Sequence, residues 1–116
     1  MSRRRPLPEL VPGAAAPANL TTLSGWLLER GALRHTPAGI AVVEFRIAHA
    51  SEQMEAGLPR RVECQMPCVL LGPMANLLSD AKPGDGIKVG GFLAAKSLTN
   101  PAPVLHVNTM EFLEGN

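Results

Sequence analysis

The sequence predicts an all-β domain, a barrel of five strands with one short helix between the third and fourth strands. From Leu20 onward, short runs of β-prone residues alternate with turn residues, at a spacing typical of all-β sandwiches and barrels. One stretch, residues 73–82, breaks that pattern and has the apolar spacing of a helix. With 116 residues, of which 46% are hydrophobic, the chain is long enough for one small domain with a thin core.

Residues 1–18 precede this domain and differ from it in composition. They are rich in Pro, Ala and Arg and lack any apolar period, so we expect a disordered arm, followed by the domain at residues 19–116. Arg3, Arg4 and Arg5 have the charge of a signal-peptide start, but four prolines between positions 6 and 17 prevent an apolar segment from forming after them. No apolar run reaches the roughly 18 residues of a membrane span. We therefore expect a cytoplasmic protein with no membrane partner.

The first two strands are predicted on either side of a turn. Leu20–Arg30 is β-prone and contains Gly25, which suggests a bulge or a sharp bend. Residues 36–39 read Thr-Pro-Ala-Gly, a tight-turn sequence in which proline sets φ at the second position. The second strand, residues 40–50, alternates cleanly. One face presents Val43, Phe45 and Ile47, which we expect in the core, and the other presents Glu44, Arg46 and Ala48.

The polar segment 51–59 is expected to join this strand to the third one, Arg60–Leu71, so that strands two and three form a long hairpin. The third strand alternates again, with Val62, Cys64 and Met66 on one face and Arg61, Glu63 and Gln65 on the other. Cys64 and Cys68 would lie about 13 Å apart on it, at ~3.3 Å per residue. That distance is too long for a disulfide. We expect two buried, reduced thiols.

The segment Pro73–Lys82 is predicted to be a short amphipathic helix. Its apolar residues fall at i, i+3, i+4 and i+7, namely Met74, Leu77, Leu78 and Ala81. Pro73 suits a first helical position, and the Pro-Gly pair at 83–84 ends the segment.

Two further strands are predicted, Gly86–Lys96 with a bend at Gly90-Gly91, and Val104–Leu113. The resulting order, with three strands, a helix and two strands, is that of the OB-fold, a five-stranded Greek-key barrel. An SH3-like barrel remains the alternative if the middle segment is only a loop. We expect the three phenylalanines of the chain to lie in the core; they are Phe45, Phe92 and Phe112.

Charge and residue spacing exclude several functions. The net charge is +1, and from Asn19 onward eight basic residues stand against nine acidic ones, which is far from the balance of an obvious nucleic-acid binder. The three histidines, at 35, 49 and 106, lack the spacing of a zinc site, and no glycine-rich phosphate loop with its lysine is present. The sequence therefore predicts neither catalysis nor a metal or cofactor.

Several local strings carry a more specific signal, above all Cys64-Gln65-Met66-Pro67. The others are Asn19-Leu20, Leu23-Ser24-Gly25, Thr36-Pro37-Ala38-Gly39-Ile40, Glu44-Phe45, Glu55-Ala56-Gly57, Val89-Gly90-Gly91-Phe92 and Leu105-His106. With these strings the chain resembles the primosomal replication protein N family, also called PriB, from Asn19 to about Leu113. The resemblance implies an OB-fold homodimer that binds single-stranded DNA and bridges the PriA helicase to DnaT when stalled replication forks restart.

The resemblance and the outward strand positions also suggest site residues. The candidates for DNA binding are Arg34, Arg60, Arg61, Lys88 and Lys96. Trp26, the only tryptophan, is a candidate for the dimer interface. At two positions where the best-known members have a stacking Trp and a hairpin-tip Phe, this chain has Glu63 and Leu58, and the last loop is poor in lysine. These differences leave an alternative open, a protein-interaction adaptor of the primosome with little intrinsic DNA binding.

Overall fold

A computed structural model describes residues 17–114. Of the expected arm, residues 1–16 lie outside the described residues. The chain forms six strands and one short 3-10 helix. They are β1 (Thr21–Arg30), β2 (Arg34–His35), β3 (Ala41–Glu55), β4 (Leu58–Leu71), the 3-10 helix (Pro73–Leu78), β5 (Gly86–Ala95) and β6 (Pro103–Phe112).

Five long strands close into a barrel. Their spatial order is β1, β5, β6, β4 and β3, and pairing between β1 and β3 closes the circle. The strands β4 and β6 pair in parallel, whereas the other pairings are antiparallel. The predicted all-β OB-fold is therefore confirmed. The prediction missed β2, which has only two residues and adds to the outer edge of β3.

Glycines allow the strands to approach closely at the two predicted bends. The first part of β1 pairs with β5 and its last part with β3, and the two pairings meet next to Gly25. A Cβ atom at Gly25 would lie 1.9 Å from the carbonyl oxygen of Ala48. At Gly91 a Cβ atom would lie 1.9 Å from the carbonyl oxygen of His106, and the register of β5 against β6 shifts between Gly90 and Gly91. No larger residue fits either position without moving the backbone.

The prediction of a loop at residues 51–59 is wrong. Both strands of the hairpin continue, β3 to Glu55 and β4 from Leu58, and a two-residue turn joins them. Ala56 and Gly57 have φ of 53° and 79°, the positive values that a tight type I′ hairpin turn requires at both positions. Residues 52–61 are exposed throughout, so they form an arm of two paired strands, here called the hairpin arm. An arm with no buried face has no apolar alternation, which is why the sequence pattern did not predict these strands.

The core and the helical segment agree with the sequence in position but differ in detail. Val43, Phe45 and Ile47 are buried as expected, and Ala48, expected outside, is also buried where β1 pairs with β3. The helix is a 3-10 helix of six residues, not an α-helix. With three residues per turn, its segment buries every third side chain, which leaves Leu77 exposed. The buried residues are Ala75, Leu78 and Ala81.

Three expected core residues are exposed instead. Cys64 lies near the base of the hairpin arm and is exposed, whereas Cys68 is buried as expected; both thiols are free. Phe92 is 43% exposed because it is out of phase with the inward residues Ile87 and Val89 on the same strand. Phe112 pairs with Ile87 at the end of β6 and is 45% exposed. Within residues 17–114, no helix has the length and apolar character to cross a membrane.

Candidate nucleic-acid interface

A groove with a volume of about 810 Å³ lies on the outside of the barrel. Its floor is formed by outward residues of β3, β4 and β6, including Glu44, Arg46, Val69 and His106. One rim is the loop between β1 and β3, and the other is the loop between β5 and β6. OB-folds bind oligonucleotides on this part of the barrel, between these two loops.

The groove carries four cationic side chains against two carboxylates. The cations are Arg30, Arg34, Arg46 and Lys96, and the carboxylates are Glu29 and Glu44. Arg34 pairs with Glu44 at 3.2 Å, and Arg46 pairs with Glu29 at 3.4 Å. Arg30 donates a hydrogen bond from Nε to the carbonyl oxygen of Ala81 at 2.9 Å. Among the described residues Lys96 forms no ion pair, so it is the cation most readily offered to a ligand.

Exposed ion pairs of this kind compete weakly with a ligand. Arg34 and Glu44 have side chains that are 59% and 69% exposed. Such pairs typically stabilise a protein by only about 0 to 1 kcal/mol. A phosphate can therefore take the place of a carboxylate on either arginine at low cost.

The structure brings together two of the five predicted DNA-binding residues. Arg34 lies on one rim of the groove and Lys96 on the other. Arg60 and Arg61 lie on the hairpin arm, where Arg60 pairs with Glu55 at 2.6 Å and Arg61 with Glu63 at 3.3 Å.

Lys88, the remaining candidate, lies on β5 in a separate shallow pocket. Its neighbours there include Thr22, Thr109 and Glu111. It does not line the groove.

Arg46 and His106 line the groove but were not selected from the sequence, and neither was Arg30. Arg46 was correctly placed on the outward face of its strand, which is the signal that could have identified it. His106 lines the groove and stacks on Phe92 of the neighbouring strand, with ring centroids 5.1 Å apart and an angle of 11° between the planes. The signal for this pair was the alternation of β5, which places Phe92 outside.

The thiol in the floor of the groove is poorly suited to covalent chemistry. It belongs to Cys68, and burial raises the pKa of this thiol to about 12, although Arg46 partly opposes the shift. A thiol with that pKa stays protonated and is a poor nucleophile near neutral pH. Within residues 17–114, no three His, Cys, Asp or Glu side chains come together as metal ligands.

Trp26 lies on the outer face of β1, away from the groove, and is 42% exposed. Just before it, residues 21–25 of β1 pair with β5 on one edge, and pairing with β3 on the other edge begins only at Trp26. The ring of His49 contacts the carbonyl oxygen of Ser24 from that second edge, with Nδ1 and O 2.6 Å apart. Along residues 21–25, no described strand pairs with this second edge of β1.

Comparison with known proteins places the chain in a family. Residues 19–109 match a family described as another single-strand binding protein family. The chain is 42% identical over 98 residues to replication restart protein PriB of Bordetella pertussis, covering 84% of this chain and 92% of that protein. It is 31% identical over 101 residues to PriB of Nitrosomonas europaea, covering 87% and 94% of the two proteins.

Solved structures show the same relationship. The structure of PriB from Ralstonia solanacearum is similar with a TM-score of 0.74 and 33% identity, covering 84% of this chain and all of that one. The single-stranded DNA binding protein from Thermus aquaticus is similar with a TM-score of 0.70 and 28% identity, covering 87% of this chain and 52% of that one.

Proposed function

The chain belongs to the PriB family of replication restart proteins, and from that premise we propose that it binds single-stranded DNA in the groove as a non-enzymatic accessory protein of replication restart. The observation that carries the proposal is the groove itself, because Arg34 and Lys96 stand on its opposite rims with Arg46 on the floor between them. Proteins that hold single strands combine such a cationic track for phosphates with aromatic rings for bases. Acting on DNA, the protein would work in the cytoplasm at the nucleoid.

The proposal includes a homodimer that bridges DNA, the PriA helicase and DnaT. The open edge at residues 21–25 of β1 supports the dimer, because unpaired strand edges readily pair with a second chain. Trp26 lies at the end of this edge and offers an exposed aromatic surface for the same contact. Sedimentation equilibrium should return about twice the chain mass of 12.3 kDa. A monomer whose mass does not change with concentration would contradict the dimer.

A second candidate is a protein-interaction adaptor with little intrinsic DNA binding. One observation favours it, which is that four arginines already have a carboxylate partner. Arg34 and Arg46 are the paired arginines of the groove, and Arg60 and Arg61 are those of the hairpin arm. A surface that satisfies its own cations attracts phosphate less strongly than its composition suggests.

Titration of labelled oligo-dT, followed by fluorescence anisotropy at several salt concentrations, separates the two candidates. A DNA-binding protein gives an affinity that falls with salt, with a log-log slope of about −0.7 for each phosphate contact to a single strand. Replacing Lys96 with Ala should weaken binding and make the slope shallower by about 0.7. Lys82→Ala is the matched control, because Lys82 is exposed outside the groove. Absence of binding at low salt would favour the adaptor.

A further inference from the structure

A row of outward side chains crosses the barrel from β5 to β3. Phe92 lies opposite His106 on β6, His106 opposite Val69 on β4, and Val69 opposite Glu44 on β3. Glu44 in turn holds Arg34 at 3.2 Å. Since neighbouring strands are about 4.8 Å apart, the row spans about 14 Å between Phe92 and Glu44. The groove therefore has an aromatic pair at one end and a guanidinium at the other.

The aromatic pair is preformed and accessible. The two rings are nearly parallel, with an angle of 11° and centroids 5.1 Å apart, which is a stacked arrangement. Phe92 leaves 43% of its surface exposed, and His106 is partly exposed and lines the groove. Flat, exposed rings held by neighbouring strands lose little conformational freedom when another ring stacks on them.

The other large aromatic residues of the chain do not offer this surface. The sequence has three Phe, one Trp and no Tyr. Phe45 is buried in the core. Trp26 and Phe112 are exposed on strand positions that do not line the groove. Phe92, through its contact with His106, is the one that adjoins the groove.

We propose that the Phe92–His106 pair is the base-stacking subsite of the groove, on which a nucleobase of the single strand packs while the phosphates lie toward Arg34 and Lys96. This inference rests on the proposed function, since it names the surface that receives a base once DNA is bound. In this arrangement the rings contact a base and the cations contact phosphates. Loss of the ring should therefore reduce the affinity for bases without changing the number of phosphate contacts.

Phe92→Leu tests the assignment, because leucine keeps an apolar side chain and removes the ring. Phe112→Leu is the matched control, since it makes the same change at a phenylalanine of similar exposure. Phe112 pairs with Ile87, five residues from Phe92 along β5, so it lies about 16 Å away at ~3.3 Å per residue. Both variants and the parent protein are titrated with oligo-dT and with an abasic oligonucleotide of the same length, at several salt concentrations.

For Phe92→Leu, we expect oligo-dT binding at least about fivefold weaker than the parent, since each stacked base contributes about 1 to 3 kcal/mol. The salt slope and the affinity for the abasic oligonucleotide should stay those of the parent. Phe92→Trp should restore oligo-dT binding, and Phe112→Leu should leave it unchanged.

Three results would overturn the assignment. If Phe92→Leu binds oligo-dT as tightly as Phe112→Leu does, the pair is not a subsite, while the proposed function stands. If Phe92→Leu weakens binding to both oligonucleotides equally, the ring acts through the structure and not through a base. If the parent protein does not bind oligo-dT at low salt, the proposed function fails and the subsite fails with it.

Discussion

Two nearly identical ion pairs provide a test of whether DNA follows the groove or the hairpin arm. Glu44 in the groove is 69% exposed and pairs with Arg34 at 3.2 Å, and Glu63 on the arm is 69% exposed and pairs with Arg61 at 3.3 Å. Replacing either glutamate with Gln removes one negative charge and releases one arginine. Neither change should alter stability by more than about 1 kcal/mol, because exposed pairs contribute little.

The expected gain in affinity comes from the charges. A carboxylate about 7 Å from a phosphate repels it by about 0.6 kcal/mol in water and by less than about 2.4 kcal/mol near a protein surface, before screening by salt. We therefore expect Glu44→Gln to bind oligo-dT roughly two- to tenfold more tightly than the parent. If the released Arg34 takes a phosphate, the salt slope should also become steeper by about 0.7.

Glu63→Gln should leave both the affinity and the slope unchanged if DNA lies in the groove. Anisotropy titrations of the two variants and the parent at matched salt concentrations provide the comparison. The opposite pattern, a gain for Glu63→Gln and none for Glu44→Gln, would refute the groove as the DNA path. It would place the strand along the arm, next to Arg60 and Arg61.

Further predictions concern stability, the thiols and the N-terminal residues. Gly25→Ala should destabilise the fold by roughly 2 to 4 kcal/mol in denaturant unfolding, because its Cβ would meet a β3 carbonyl oxygen at 1.9 Å, whereas Gly31→Ala, with no atom closer than 3.5 Å, should cost little. At pH 8 a thiol reagent should modify Cys64 quickly and Cys68 only on unfolding. Burial raises the pKa of Cys68 from 9.0 to about 12, so between these pH values the unfolded state loses the thiol proton while the folded state keeps it. The free energy of unfolding should therefore fall from pH 9 to about 12, and Cys68→Ala should lack this fall. Deleting residues 1–18, which contain three of the arginines, should make the salt slope shallower and leave the melting temperature unchanged.

The strands of the barrel could be predicted because each has one buried face. When one face of a strand is buried, apolar residues recur at every second position, as at Val43, Phe45 and Ile47. The hairpin arm is exposed on both faces, so its sequence has no such period and its strands were missed. At Phe92 the residue type suggested the core, although the phase of this position on β5 placed it outside.

The groove was harder to predict than the barrel, because its residues come together only when the barrel closes. Arg34, Arg46, Lys96 and His106 come from three strands and one loop spread over more than half of the chain, and the parallel pairing of β4 with β6 helps bring them to one face. No local spacing in the sequence encodes such a set. A resemblance to a family and an outward strand position can each indicate individual residues, but three of the five cations selected in these two ways lie outside the groove.

The pairing of the groove arginines has a consequence for how the proposed site would discriminate its ligand. When a phosphate replaces Glu44 on Arg34, one charge-assisted contact is exchanged for another, so the net gain is small. Phosphates alone would then give weak binding that salt readily reverses. A base that stacks on the rings at the other end of the row breaks no contact within the protein, because their exposed surface faces solvent. An unpaired base would therefore supply much of the affinity, so the groove should prefer single strands to duplexes, whose bases are already stacked.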